Sequence, residues 1–200
     1  MRTVVIFALA VLSSSVAARS ELIAYEGFDY TAGDSLTGKA GGINWGGAWT
    51  ATANGSTVQT PGLTYTDAAF QTLQSIGNSG AFAGGGNGNL RLASLSPDGV
   101  GSTLYVSFIA RMDAALANSY AGFSLFNGGT ETMFLGDPNG PLNWGIDPKV
   151  GTVTTGTTSV STQAFLVYRI DFLSGSAEIR LFENPLLSTE PALDAAVAFA

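Results

Sequence analysis

Oxygen-bearing side chains cluster in one stretch of the sequence and could bind a hard metal ion. Asp137 and Asn139 lie two residues apart before a glycine, and Asp147 follows downstream. Carboxylate and amide oxygens are the ligands that calcium prefers, so these three residues form a candidate calcium site. The alternative is that they occupy these positions for turn geometry, since Pro138 and Gly140 are turn residues too. The sequence favours the turn, and it predicts no other cofactor.

The tryptophans form a second candidate set, as platforms for sugar rings. Aromatic faces pack against the apolar faces of sugars in concave binding sites. The alternative is burial beneath the glycine-rich loops, which have few side chains of their own to cover a core. The sequence favours burial, and the candidates are Trp45, Trp49 and Trp144.

Residues for catalysis are scarce. The chain has no cysteine and no histidine, which excludes thiolate zinc sites and histidine-dependent triads. Glycoside hydrolysis needs two carboxyl groups flanking one bond. The pairs Glu26/Asp29 and Glu178/Glu183 have odd spacings, which send their members to opposite faces of a regular strand. Neither lysine lies in a Ser-x-x-Lys pattern that could activate a serine. We therefore predict that the protein is not an enzyme.

The charge balance excludes one class of partner. The formal net charge is −7, and the eight basic residues are scattered along the chain. Nucleic-acid binding needs clustered Lys and Arg to neutralise phosphates, so nucleic acid is not expected as a partner.

The N-terminus predicts export. A short positive start is followed by the apolar run Val4–Leu12 and then by small residues ending at Ala18. This pattern is typical of a signal peptide over residues 1–18. The run is about half of the roughly 20 residues that span a bilayer, so no membrane span is expected in the mature chain. We expect the mature protein outside the cell or on its surface, with the periplasm as an alternative.

The segment Phe165–Pro185 carries the strongest fold signal. Two alternating runs flank a Gly/Ser turn, which predicts a β-hairpin with one buried face. A one-residue slip inverts a strand, so only registers of one parity bring the two apolar faces together. The same registers place Asp171 near Arg180, directly or diagonally, where opposite charges favour pairing.

The pattern of the rest of the chain predicts short strands separated by turns. Helical periodicity is limited to Thr66–Gln74 and the tail after Pro191. This pattern predicts an all-β, antiparallel β-sandwich or jelly roll in a single domain. Further strands are predicted at Leu22–Tyr30, Val58–Tyr65 (broken at Pro61), Leu90–Leu92, Leu104–Met112, Ala121–Asn127, Thr132–Gly136 and Asn143–Ile146, with a strand pair or loop at Thr152–Thr162.

Several motifs resemble those of exported bacterial LamG-like proteins, and the resemblance runs from Leu22 to about Pro191. It implies a concanavalin A-like jelly roll of the kind often found with a PEP-CTERM sorting tail. The motifs are Tyr25–Tyr30, Trp45–Trp49, Tyr105–Phe108, Tyr120–Phe126, Phe134–Asp137 and Tyr168–Phe172 with Asn184-Pro185.

The resemblance implies a single jelly-roll domain over residues 19–200, but its motifs carry no information about chemistry. Because the sequence has no recognisable catalytic pattern, our leading expectation is a non-enzymatic module that binds polysaccharide or other glycans of the cell surface or extracellular matrix. A purely structural surface protein and a polysaccharide-active enzyme with an unrecognised site remain alternatives. Such proteins usually continue into closing strands, so the chain, ending at Ala200, is expected to lack its C-terminal part and to leave an edge near Leu22–Tyr30 unpaired.

Overall fold

The computed structural model describes residues 21–51, 55–73, 76–82, 89–91, 99–113 and 119–200. The predicted signal peptide, residues 1–18, lies outside these ranges. Within them, no helix has both the length and the apolar character needed to cross a membrane.

The described chain is built almost entirely from antiparallel strands, with one short 3-10 helix at Leu193–Ala195. The strands are β1 (Thr50–Ala51), β2 (Thr57–Gln59), β3 (Ser79–Ala81), β4 (Asn89–Leu90), β5 (Thr103–Ala110), β6 (Tyr120–Asn127), β7 (Thr130–Pro138), β8 (Asn143–Asp147), β9 (Thr154–Ser159), β10 (Ala164–Leu173), β11 (Ser176–Glu183) and β12 (Ala198–Phe199).

Two four-stranded sheets enclose the main core. One has the order β12-β11-β10-β5, and the other is the meander β6-β7-β8-β9. Both sheets contribute to one buried cluster, as in a β-sandwich, and this confirms the predicted all-β antiparallel class. Its largest members are Leu135, Trp144 and Ile146 from β7 and β8, and Leu166, Tyr168, Ile170, Ile179 and Leu181 from β10 and β11.

The predicted hairpin is confirmed as β10 and β11, joined by the two-residue turn Ser174-Gly175. Alternate residues of β10 face the core and are fully buried, each worth about 1.5–3 kcal/mol of burial. On the outer face Asp171 lies directly opposite Glu178, and Arg180 reaches Asp171 diagonally with N–O separation 2.9 Å. The predicted Asp171–Arg180 attraction is therefore present in its diagonal form.

The part of the chain before β5 forms a smaller layer of short strands. β1 pairs with β4 and β2 pairs with β3, and a separate cluster of Leu36, Trp49 and Val58 is buried beneath them. This layer contacts the sandwich through hydrogen bonds and through the Tyr65 and Phe165 rings, whose centroids are 5.1 Å apart. The Tyr65 hydroxyl donates to the Pro185 carbonyl, and the Gln163 side chain donates to the Thr64 carbonyl.

Three sequence-based expectations are wrong in their detail. Residues 22–30 form no regular strand, because Phe28 has φ +54° and only Tyr25 makes a β-bridge, to Ile43. Asp137 and Pro138, expected in a turn, belong to β7. The tail after Pro191 forms only the short 3-10 helix Leu193–Ala195, because β12 then pairs with β11.

The expected helix at 66–74 is also absent over its described residues, 66–73. The chain forms a loop there instead, and Asp67 holds the loop in place. The Oδ1 of Asp67 accepts hydrogen bonds from the Ala69 and Gln71 N–H groups. Its Oδ2 accepts from the Leu187 N–H at 2.8 Å, which ties the loop to the C-terminal segment. Asp therefore acts here as a short-range competitor of helical hydrogen bonding.

Asp67→Asn should loosen this loop and lower the stability of the protein in a pH-dependent way. The hydrogen bond from Leu187, followed by those from Gln71 and Ala69, lowers the pKa of Asp67 below its ordinary 3.8. A lowered folded-state pKa contributes stability above the unfolded-state pKa, and that contribution disappears as pH falls through the folded-state value. Urea unfolding should show wild type more stable than Asp67→Asn at neutral pH, with a gap that closes below about pH 4. A gap independent of pH would contradict this role.

Candidate functional site

The tryptophans lie in three different settings. Trp144 has 1% of its surface exposed and belongs to the sandwich core, and Trp49 is 8% exposed in the smaller cluster. Neither can offer a face to a sugar, which corrects the platform hypothesis for both and agrees with the favoured alternative of burial. Trp45 is partly exposed and lies beside Trp49, with ring centroids 6.1 Å apart.

The predicted calcium ligands are not brought together. Asp147 is not free, since it accepts from both the backbone and the ammonium group of Lys149. It stands opposite Phe134, three positions along β7 from Asp137, which is about 10 Å in an extended strand. Asn139 is exposed in the following loop. Within the described ranges, no group of three or more acidic residues has a metal-binding arrangement. The structure therefore offers no support for calcium at these three residues.

Asp137 is unusual for another reason. It is fully buried, and among the described residues neither carboxyl oxygen has a hydrogen-bond partner. Burial raises the pKa of Asp137, and the nearby Gly140 N–H, which forms no full hydrogen bond with this carboxyl group, offsets the rise only in part. The residue is thus an interior acid that is favoured in its neutral form.

A hub of hydrogen bonds forms around Glu26 in the N-terminal layer. Its Oε1 accepts from the Phe28 N–H at 2.8 Å, and its Oε2 accepts from the Tyr30 hydroxyl and the Trp49 indole, each at 3.0 Å. The same Oε2 forms an ion pair with Arg91. One carboxylate therefore holds four donors, two from neighbouring residues and two, Trp49 and Arg91, from distant parts of the sequence.

Arg91 completes the hub from the opposite side. Its side chain is 1% exposed, and its Nε donates to the Gly47 carbonyl at 2.8 Å. The guanidinium lies 5.3 Å from the ring centroid of Trp45 and 5.6 Å from that of Trp49. These are cation–π distances, so Arg91 fixes both indoles as well as the carboxylate.

An open cleft of about 260 Å³ lies on the solvent side of this hub, and we call it the N-terminal cleft. It is mostly aromatic and aliphatic, with two acidic groups. Its lining side chains are Tyr25, Glu26, Asp29, Tyr30, Ile43 and Ile76, and Gly27, Gly41 and Gly42 complete its wall.

Glycine is required in this wall. Gly42 has φ +80°, and a Cβ there would lie 2.5 Å from the Tyr25 carbonyl oxygen and 3.0 Å from Cδ1 of Trp45. Any larger residue would therefore displace Trp45 or the backbone of Tyr25. The Trp45 indole N–H also donates to that carbonyl, at 2.9 Å, which keeps the ring against the cleft wall.

The two carboxyl groups of the cleft correct a second expectation. The odd spacing of Glu26 and Asp29 places them on opposite faces of a regular strand, yet both line the N-terminal cleft. The reason is Phe28, whose left-handed backbone breaks the alternation between them. A non-glycine residue at positive φ is strained, and such strain clusters at binding sites.

Tyr30 links the hub to the cleft. Its hydroxyl donates to Glu26 and accepts from the Gly41 N–H at 2.9 Å. Burial, and then the neighbouring Glu26 carboxylate, raises the pKa of the Tyr30 phenol, so it remains a neutral donor. Tyr30 and Arg91 were both missed by sequence reasoning, and for Arg91 the one available signal was a charged residue between two leucines, Leu90 and Leu92.

A second cleft, of about 320 Å³, lies between the end of β11 and the C-terminal segment. It is lined largely by proline, leucine and alanine, and its one aromatic residue, Phe182, is only 3% exposed. Its acids face protein donors, because Glu183 accepts from Thr158 and Glu190 pairs with Arg169. The N-terminal cleft is therefore the better candidate site.

Comparison with protein-family models, curated proteins and solved structures found no match to this chain. The resemblance to LamG-like proteins consequently stays a prediction from the sequence motifs. The candidate site has to be judged from its own geometry.

Arg91→Met should cost about 3–5 kcal/mol of unfolding free energy, because it leaves the carboxylate of Glu26 buried without its charge partner. Arg111→Met is the matched control. Its ion pair with Asp113 is exposed, with side chains 48% and 83% accessible, and such pairs contribute about 0–1 kcal/mol. Urea unfolding followed by tryptophan fluorescence measures both, and equal losses would show that the buried pair has no special role.

Asp137→Asn should remove a pH dependence from folding. With a folded-state pKa raised above the unfolded 3.8, the folded protein holds a proton that the unfolded chain releases. Stability therefore falls as pH rises from about 4 through the raised value. Relative to wild type, Asp137→Asn should gain stability across this range in denaturant titrations. Asp113→Asn, at an exposed position, is the control. If the stability of wild type and of Asp137→Asn depended on pH in the same way, the raised pKa of Asp137 would be refuted.

Proposed function

We propose that this protein is a non-enzymatic glycan-binding module of the cell surface or extracellular matrix, with its ligand in the N-terminal cleft. The observation that carries the proposal is the cleft itself, in which Tyr25 and Tyr30 stand beside polar groups above a rigid hub. Sugar rings offer apolar faces to aromatic side chains and hydroxyls to acceptors, which is the chemistry this cleft presents.

The wider setting follows the sequence motifs. The proposal includes export through the signal peptide at residues 1–18 and a LamG-like jelly-roll arrangement of the two sheets. It is supported by the all-β antiparallel architecture and by the low content of charged residues, 12% of the chain. Jelly-roll sandwiches host many unrelated functions, so the glycan proposal is drawn from the cleft and not from the fold.

Hydrolysis of a polysaccharide is the second candidate, because Glu26 and Asp29 line one cleft. A glycosidase needs a carboxylic acid that can protonate the leaving oxygen. Both oxygens of Glu26 already accept hydrogen bonds from protein donors, and Arg91 pairs with one of them. This leaves Glu26 poorly placed as a proton donor, so binding without cleavage is the stronger proposal.

A panel of soluble polysaccharides, scored for both binding and hydrolysis, tests the proposal. Tyr25→Ala should weaken binding of the best ligand about fivefold, since one aromatic contact is worth about 1 kcal/mol and 1.4 kcal/mol would correspond to tenfold. Tyr120→Ala is the control, because Tyr120 is 54% exposed and lies outside the cleft.

The outcomes separate the candidates. Binding that survives Tyr25→Ala unchanged would remove the cleft from consideration. Release of reducing ends from any polysaccharide of the panel would favour the enzyme instead. Absence of binding across the panel would favour a purely structural surface protein.

A further inference from the structure

We infer that the N-terminal cleft selects a cationic glycan, a polymer of amino sugars with free ammonium groups, and that Asp29 is the residue that recognises the charge. The inference rests on the proposed function, since it names the ligand class of the same cleft. Its basis is a difference among the polar side chains of the cleft: most of them are hydrogen-bonded to the protein itself, and one is not.

Most polar groups of the cleft are used by the protein. The Tyr25 hydroxyl accepts from the Ile76 N–H at 3.2 Å, and the Tyr30 hydroxyl lies between Glu26 and Gly41. Glu26 has donors on both oxygens. Asp29 differs: it is exposed, and within the described part of the chain its carboxylate has no hydrogen bond or ion pair. The free group that faces a ligand is therefore an anion.

No uncompensated cation stands near this anion among the described residues. Arg91 is paired with Glu26 behind the cleft, and Lys39 is paired with Asp34. Each of these two bases neutralises one acid, so the unpaired Asp29 leaves one net negative charge at the cleft. The whole chain carries −7, so its field attracts cations and repels anionic glycans.

The aromatic side chains that line the cleft also favour a cationic ligand. The face of an aromatic ring is negative and attracts ammonium groups, most strongly where water is excluded. The protein already uses one of the lining rings in this way, since Lys39 Nζ lies 5.9 Å from the Tyr30 ring centroid. An amino sugar combines an apolar ring face for stacking with an ammonium group for Asp29.

Calorimetric titration of the full chain with three hexasaccharides tests the inference. They are β-1,4-linked glucosamine, its fully N-acetylated form and an oligogalacturonate, at a pH where the glucosamine amine is protonated. The glucosamine hexamer should bind most tightly, and added salt should weaken it, because exposed charges are screened. The oligogalacturonate should bind least.

Asp29→Asn should weaken binding of the glucosamine hexamer about fivefold, which corresponds to about 1 kcal/mol for one exposed charge pair. It should leave the N-acetylated hexamer within about twofold, because that ligand has no charge to lose. Asp29 is exposed and unpaired, so the variant is expected to fold normally. Asp113→Asn, which removes an exposed acid elsewhere, is the control for net charge.

Equal affinity for the amino and N-acetylated hexamers, or an unchanged affinity in Asp29→Asn, would overturn the inference. So would equal binding of a hexalysine peptide, because the cleft would then recognise charge without sugar. If only neutral glycans bind, and Tyr25→Ala weakens that binding, the proposed function stands while this inference fails. If none of the glycans binds, both fail together.

Discussion

The alternation of β10 is the constraint on which the sandwich depends. This strand pairs with β5 on one side and β11 on the other, so its inward residues fill the middle of the core. Leu166, Tyr168 and Ile170 are fully buried there, and the Tyr168 hydroxyl donates to the Gly145 carbonyl of the facing sheet at 3.1 Å. A slip of one residue would bury Arg169 and Asp171 instead, which no local compensation could offset. The inward face of β10 therefore contributes to holding the two sheets together, alongside Glu183 of β11, which accepts a hydrogen bond from Thr158 of β9.

The N-terminal layer relies on polar contacts to a greater extent than the sandwich does. Its apolar cluster is small, with Leu36, Trp49 and Val58 as its buried members. Glu26 and Arg91 supply what this core lacks, because they connect segments 65 residues apart through a pair shielded from water. A buried ion pair is costly to form, and it holds only where further hydrogen bonds satisfy both partners. Here Trp49, Tyr30 and Gly47 provide those bonds.

Local periodicity explains which features could be predicted from the sequence. The β10–β11 hairpin depends on alternation and a two-residue turn, both visible in neighbouring residues. The N-terminal cleft could not be predicted in the same way. Its carboxyl pair depends on the left-handed backbone of Phe28, and its hub depends on Arg91, which is distant in sequence. The expected helix at 66–74 failed for a related reason, since Asp67 binds Leu187 120 residues away. Long-range polar contacts leave little trace in a local pattern.

The burial of Arg91 also determines what the cleft presents to solvent. If Arg91 were exposed, the cleft would carry a guanidinium fork suited to carboxylates and phosphates. Because Arg91 is buried and paired with Glu26, its charge is cancelled, and it instead packs on Trp45, which lies against Gly42 of the cleft wall. The same ion pair neutralises Glu26, so Asp29 alone gives the cleft its negative charge. A pair that stabilises the N-terminal layer thus also sets the electrostatic preference of the surface above it.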